Sequence, residues 1–254
     1  MHVSFLIVAG LVVSGLIAGF FDSIVGGSGV ITLPALLWAG LPPYAALGTN
    51  KLAGTFASST STFTYMRSGR IHWSLIFGMI PFTLAGAWLG ATTVLHVNQR
   101  YLQLTIFFAI VAIAILTLLR RSLGQVNAFA GVTAGVRISS IIAAFALGFY
   151  DGFIGPGTGS FLLFLFLSAY RFDFVLAAGN GRILNFASNI AALLYFALHG
   201  EVALLEGLPM GVAMMIGARV GSKMAVKRGV PFIRPLFVVV SLILAIKMGI
   251  TVFH

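Results

Sequence analysis

The sequence contains no cysteine, which excludes disulfides and thiolate metal sites and leaves the redox compartment open. Charge is scarce: Lys, Arg, Asp and Glu make up 8% of the 254 residues, against about a quarter in soluble domains. So little charge cannot cover a water-facing surface, so most of the surface must face lipid. No polar stretch is long enough to form a soluble domain. No basic stretch precedes the first apolar run, and a similar run recurs in the second half, which argues against a cleaved signal peptide. Ser-His-Asp logic, a phosphate loop and zinc-ligand spacing are all absent. The glycine runs do not follow a strand in a βαβ unit, so they are not dinucleotide fingerprints. Neither an enzyme nor a cofactor or metal protein is expected. The net charge of +10 is no sign of nucleic acid, because the basic residues sit mainly in short gaps between apolar runs, where they orient a membrane protein.

What is abundant fits lipid. Hydrophobic residues make up 59% of the chain, with 30 Gly and 23 Phe, and glycine lets membrane helices pack closely. A spanning helix needs roughly 20 apolar residues. Runs of that kind are predicted at 3–23, 44–66, 72–95, 101–119, 136–153, 174–198, 202–225 and 231–253. Two shorter runs, 29–40 and 159–170, each follow a helix-breaking cluster: Gly26-Gly27-Ser28-Gly29 and Gly155-Pro156-Gly157-Thr158-Gly159. Broken backbone at membrane depth survives only where protein or a wet cavity satisfies it.

The chain repeats itself. Asp22 and Asp151 are 129 positions apart, Asn50 and Asn180 are 130 apart, as are Tyr65 and Tyr195, and Gly86 and Gly217 are 131 apart. Gly86-Ala-Trp-Leu-Gly90 thus matches Gly217-Ala-Arg-Val-Gly221, a small-xxx-small packing pattern in both halves. Equivalent loops differ in charge. The 67–72 gap carries Arg67 and Arg70, whereas its counterpart carries Glu201 and Glu206; the 96–100 gap carries only Arg100, whereas its counterpart carries Lys223, Lys227, Arg228 and Arg234. Cytoplasmic loops collect Lys and Arg, so equivalent loops are expected on opposite sides, as in inverted repeats. Inversion requires an odd number of crossings per half, which counts each short run as a crossing. The expected fold is an all-α integral membrane protein of two inverted repeats, 1–124 and 125–254, each with about five membrane segments. Together they form one membrane domain with Arg120, Arg121 and Arg137 inside and both termini outside. The two breaks are expected to meet near the membrane centre.

Asp22 and Asp151 are the two acids placed within the apolar segments; Asp173, Glu201 and Glu206 fall in loops. An intramembrane carboxylate costs at least ~2.5 kcal/mol at a helix centre. Each Asp either carries a coupling proton or gates the substrate, or else accepts hydrogen bonds from amides freed by the break. Lys51 and Arg182 sit beside Asn50 and Asn180, and this set reads either as an anion site or as ion-pair partners of the aspartates. Lys51 aligns with Gly181, so Arg182 is displaced by one position. The Ser58–Thr64 hydroxyls either line a polar path or bond helix carbonyls. Arg219 and Lys247 are expected to snorkel to the interfaces, and His72, His96 and His199 to lie at segment ends.

Gly19-Phe-Phe-Asp22-Ser-Ile-Val-Gly-Gly-Ser-Gly29, Leu33-Pro34 and Thr49-Asn50-Lys51 resemble the first half of the sulfite exporter TauE/SafE family. Gly148-Phe-Tyr-Asp151-Gly-Phe-Ile-Gly-Pro-Gly-Thr-Gly159, with Asn180 and Arg182, resembles its second half. Ser28 departs from the commoner all-glycine run. The resemblance covers nearly the whole chain and implies a multi-pass plasma membrane transporter exporting sulfite or organosulfur anions. The expected mechanism is alternating access, with protons as a candidate coupling ion. The expected substrate site comprises Asn50, Lys51, Asn180 and Arg182 with the half-helix starts Ser28, Gly29, Thr158 and Gly159, whose amides suit an anion. Asp22 and Asp151 are the expected proton-coupling or gating residues. An anion channel or a non-transporting scaffold is the alternative.

Overall fold

The computed structural model describes residues 5–97, 127–129, 131, 133–229 and 231–232. The predicted segment 101–119, nearly all of 231–253, and Arg120, Arg121 and Lys247 lie outside these residues.

The described residues form eight helices and no strand: α1 Phe5–Val25, α2 Gly29–Trp38, α3 Pro43–Arg67, α4 Trp73–Val94, α5 Ala134–Phe153, α6 Thr158–Ala169, α7 Phe174–Leu198 and α8 Leu204–Arg228. The predicted ends hold to within about three residues, because local chemistry sets them. Asp173 caps α7 by accepting hydrogen bonds from the amides of Val175 at 2.8 Å and Leu176 at 2.9 Å. Pro43 opens α3, where its missing amide hydrogen costs nothing. Five of these helices, α1, α4, α5, α7 and α8, are long and apolar enough to cross a membrane. Large apolar side chains face outward, among them Phe5, Leu6, Phe77, Ile142 and Leu205. In water such a surface would drive association; in lipid it is the solvated face. This is a multi-pass membrane protein.

The principal packing joins the two halves. Along α1 and α8, Gly15 lies against Met210 and Gly19 against Met214, while Gly217 lies against Leu16 and Gly221 against Phe20. These numbers rise together, so the two helices run parallel. α4 and α5 pair the same way, with Gly86 against Phe145 and Gly90 against Phe149. In the centre, Gly48 meets Glu201, Gly54 meets Asn189 and Gly179 meets Arg70. Here the numbers run in opposition, so α3 and α7, which the repeat aligns, are antiparallel. Exchanging the two halves exchanges these contacts.

Both short helices turn back on the helix before them. Trp38, at the end of α2, packs its ring against Gly10 of α1. Tyr150 near the end of α5 stands edge-on to Phe161 at the start of α6, with centroids 5.5 Å apart.

The small-residue faces give a controlled test. A Cβ at Gly90 would come within 2.7 Å of the Phe153 amide nitrogen, whereas Gly78 on the same helix has nothing within 4 Å. Overpacking typically costs about 1–3 kcal/mol. Gly90→Leu is therefore expected to lower the melting temperature in detergent by several degrees, and Gly78→Leu to leave it unchanged. Equal melting of the two variants would contradict this packing.

Candidate substrate site

The site begins with the two breaks. Gly26 and Gly27 take φ +82° and +96°, and Gly155 and Gly157 take +92° and +86°. This left-handed backbone suits glycine and lets α1 and α5 stop within the protein. The two breaks meet. The Gly26 backbone rests on Gly159, a Cβ at Gly29 would be 3.1 Å from Pro156, and Ser160 Oγ donates to the Val25 carbonyl at 2.8 Å.

Against this junction lie two ion pairs, each linking one half to the other. Lys51 Nζ of α3 is 2.9 Å from Asp151 Oδ1 of α5, and Arg182 Nη1 of α7 is 2.9 Å from Asp22 Oδ2 of α1. All four side chains are at most 5% exposed. Buried charges persist when paired, and removing one partner strands the other. The one-residue displacement of Arg182 does not stop it from making the pairing equivalent to that of Lys51. Asp22 also accepts from the Ser28 amide at 3.2 Å, so it bonds the freed backbone as well. Arg182 Nη1 donates to Asn185 Oδ1 at 3.3 Å. Two glycines admit the cations: a Cβ at Gly155 would lie 2.7 Å from Lys51 Nζ, and one at Gly159 would overlap the Arg182 guanidinium.

A cavity of about 20 Å³ sits among these groups, room for about one water. Its polar lining includes Asp22, Ser28, Asn50, Lys51 and Asp151, together with Asn185 and Asn189. Gly29 and Gly159 are also in the wall, with Gly27, Gly54 and Gly155. Asn50 is held by Thr32, whose hydroxyl donates to Asn50 Oδ1 at 2.5 Å.

Three of the predicted residues stand apart from this cavity. Arg182 lies behind it, against Asp22 and Asn185. Asn180 ties α7 to the turn before α4, accepting from the His72 amide at 2.9 Å and donating to the Leu176 carbonyl at 2.7 Å. Thr158 closes its own turn, its hydroxyl donating to the Gly155 carbonyl at 2.8 Å. Asn50 and Asn180 thus occupy equivalent positions in sequence but have different surroundings.

Sequence reasoning missed Asn185 and Asn189. The signal was there: they follow Arg182 at steps of three and four, the spacing of one helix face. The hydroxyls of Ser58, Ser59, Thr60, Ser61 and Thr64 all donate to carbonyls of their own helix, at 2.6–3.0 Å. Ser59 and Thr60 also edge an outer groove of about 420 Å³ with Phe63, Met215, Ile216 and the exposed Arg219.

Residues 11–248 match the family model described as "Sulfite exporter TauE/SafE". The chain is 40% identical to the probable membrane transporter protein ORF9 of a Sinorhizobium species, over 96% of this chain and 93% of that one. It is 36% identical to the probable membrane transporter protein YfcA of Escherichia coli strain K12, over 92% of this chain and 86% of the relative. It is 32% identical to a probable membrane transporter protein of Haemophilus influenzae, over 92% and 91% of the two chains. No solved structure matches this chain.

Proposed function

This chain belongs to the sulfite exporter TauE/SafE family, and on that premise we propose that it is a secondary transporter exporting sulfite or a related small oxyanion or sulfonate by alternating access. The observation that carries this reading is the small polar cavity beside the two helix breaks, walled by groups from both halves. Lys51, Asn50, Asn185 and Asn189 offer a cation and amide donors. Ser28, Gly29 and Gly159 bring the helix breaks alongside. Arg182, Asn180 and Thr158 hold the walls in place. A space for one water does not admit an oxyanion, so the substrate enters when the breaks part. A central site walled by both halves is what alternating access uses.

The test is thermal stability of the detergent-purified protein against sulfite, sulfate, thiosulfate, sulfonates and carboxylates. A ligand at 100 times its Kd should stabilise by ~2.7 kcal/mol, a rise of about 5–10 °C. If no small anion raises the melting temperature, the reading is wrong.

We also propose that the two halves are inverted in the membrane. The antiparallel packing of α3 on α7 supports this, as does the exchange of basic and acidic loops between repeats. The absence of native cysteine makes the check clean. Single cysteines at Ser68 and Ala203 should label from opposite sides of intact cells, and labelling from one side alone would sink the inversion.

A further inference from the structure

The two cross-half ion pairs look equivalent but are bonded differently. Asp22 uses both carboxylate oxygens, Oδ1 on the Ser28 amide and Oδ2 on Arg182. Asp151 uses one: Oδ1 meets Lys51, while Oδ2 is fully buried with no hydrogen-bond partner. A buried carboxylate oxygen without a partner is costly and calls for an explanation; in the other pair both carboxylate oxygens are engaged and the unpartnered atom is Arg182 Nε. The cations differ too. Arg182 is held by Asp22 and Asn185 outside the cavity, whereas Lys51 lines it together with Asp151. A guanidinium stays charged under any working condition, while an ammonium is a mobile point charge on a flexible stem.

From this asymmetry we propose that Asp151 is the proton-binding carboxylate of the transporter, and that protonating it releases Lys51 to hold the anion. The inference rests on the anion-transport reading above. With Asp151 ionised, Lys51 is neutralised and the four buried charges sum to zero, leaving nothing for an anion. A proton on Oδ2 makes Asp151 neutral and leaves one uncompensated positive charge in a cavity lined by Asn50, Asn185 and Asn189. Proton and anion therefore bind together. The Asp22–Arg182 pair remains closed throughout and keeps the two halves joined.

The charged and titratable groups around Asp151 are few. Lys51 faces it from α3, Asp22 lies across the cavity on α1, and Arg182 on α7 is engaged with Asp22. Tyr150, its neighbour on α5, donates its hydroxyl to the Pro156 carbonyl at 2.6 Å. Among the described residues, no other Asp, Glu, Lys, Arg or His lines the cavity.

The experiment is infrared difference spectroscopy of the purified protein between pH 8 and pH 5, reading the C=O stretch of a protonated carboxyl. A band is expected in the wild type, retained in Asp22→Asn and lost in Asp151→Asn. Lys51→Gln serves as a second variant should Asp151→Asn fail to fold. It removes the cation that competes with the proton, so the band should persist to higher pH. A second arm adds methanesulfonate, sulfate or sulfite at fixed pH, with binding followed by thermal shift. Each anion that binds should enlarge the Asp151 band. A band that is absent from the wild type, survives in Asp151→Asn or vanishes in Asp22→Asn overturns the assignment. A band assigned to Asp151 but unmoved by anions that do bind overturns the release of Lys51. If none of the anions binds, the anion-transport reading beneath the proposal fails, and the release of Lys51 fails with it; the Asp151 band reports on protonation separately.

Discussion

Replacing Asp22 with Asn is expected to destabilise the protein by about 3–5 kcal/mol, the cost of stranding a buried charge, and to lower its melting temperature by about 10 °C. The variant leaves Arg182 charged among packed helices, and arginine cannot escape by giving up its proton. Asp151→Asn should cost less. The ammonium it strands sits on a flexible stem, and Lys51 lines a space large enough for a water. The double variant Asp22→Asn, Arg182→Gln should recover much of the loss, because replacing both partners removes the uncompensated charge. The check is a thermal melt of the four proteins in one detergent. Equal melting of Asp22→Asn and Asp151→Asn would show that the two pairs are energetically equivalent. A double variant no better than the single one would show that the cost is lost packing rather than stranded charge.

The sequence made the helices legible because apolar runs and glycine breaks act locally. Asp173 capping α7 and the turn at Gly26-Gly27 are settled within a few residues. The repeat carried information further. Equivalent placement of Asp22 and Asp151 beside equivalent breaks led to the expectation that the breaks meet, and Gly26 does rest on Gly159. What the sequence left open was which partner each charge takes. Anion recognition and ion pairing use the same residues, and only the tertiary fold brings each cation to the acid of the other half, Lys51 to Asp151 and Arg182 to Asp22. Symmetry misled for Asn180. Repeat alignment makes it the counterpart of Asn50, yet Asn180 meets the turn at His72 while Asn50 meets Thr32 and the cavity. Asn185 and Asn189 were overlooked for a related reason. The aligned positions in the first half are Thr55 and Ser59, polar but of a different type, so a search for identical residues passes over them, whereas a reading of the α7 face from Arg182 would have found both.

Lys51→Gln is expected to abolish transport, with a fall of at least about 100-fold, while leaving a folded protein. Glutamine keeps a polar group of similar reach but has no charge to offer an anion. Breaking a contact between a charged group and its ligand typically costs about 2–3 kcal/mol or more, which is roughly two decades in affinity. Folding should suffer less, because the glutamine amide can still donate a hydrogen bond to the Asp151 carboxylate. Arg182→Gln should behave in the opposite way. It removes a residue that braces α7 against Asp22 of α1, so stability should drop first, and any loss of affinity should be matched by loss of folded protein. The deciding measurement pairs the anion Kd with the unliganded melting temperature for each variant. Lys51→Gln with unchanged affinity and a large fall in melting temperature would make Lys51 a structural partner of Asp151 alone. The same result for Arg182→Gln is what a bracing role requires. The two cations occupy nearly equivalent places in the repeat and make equally short contacts with equally buried acids. A difference between their variants would therefore trace to what else each touches: a cavity in one case, a second helix-bound amide in the other.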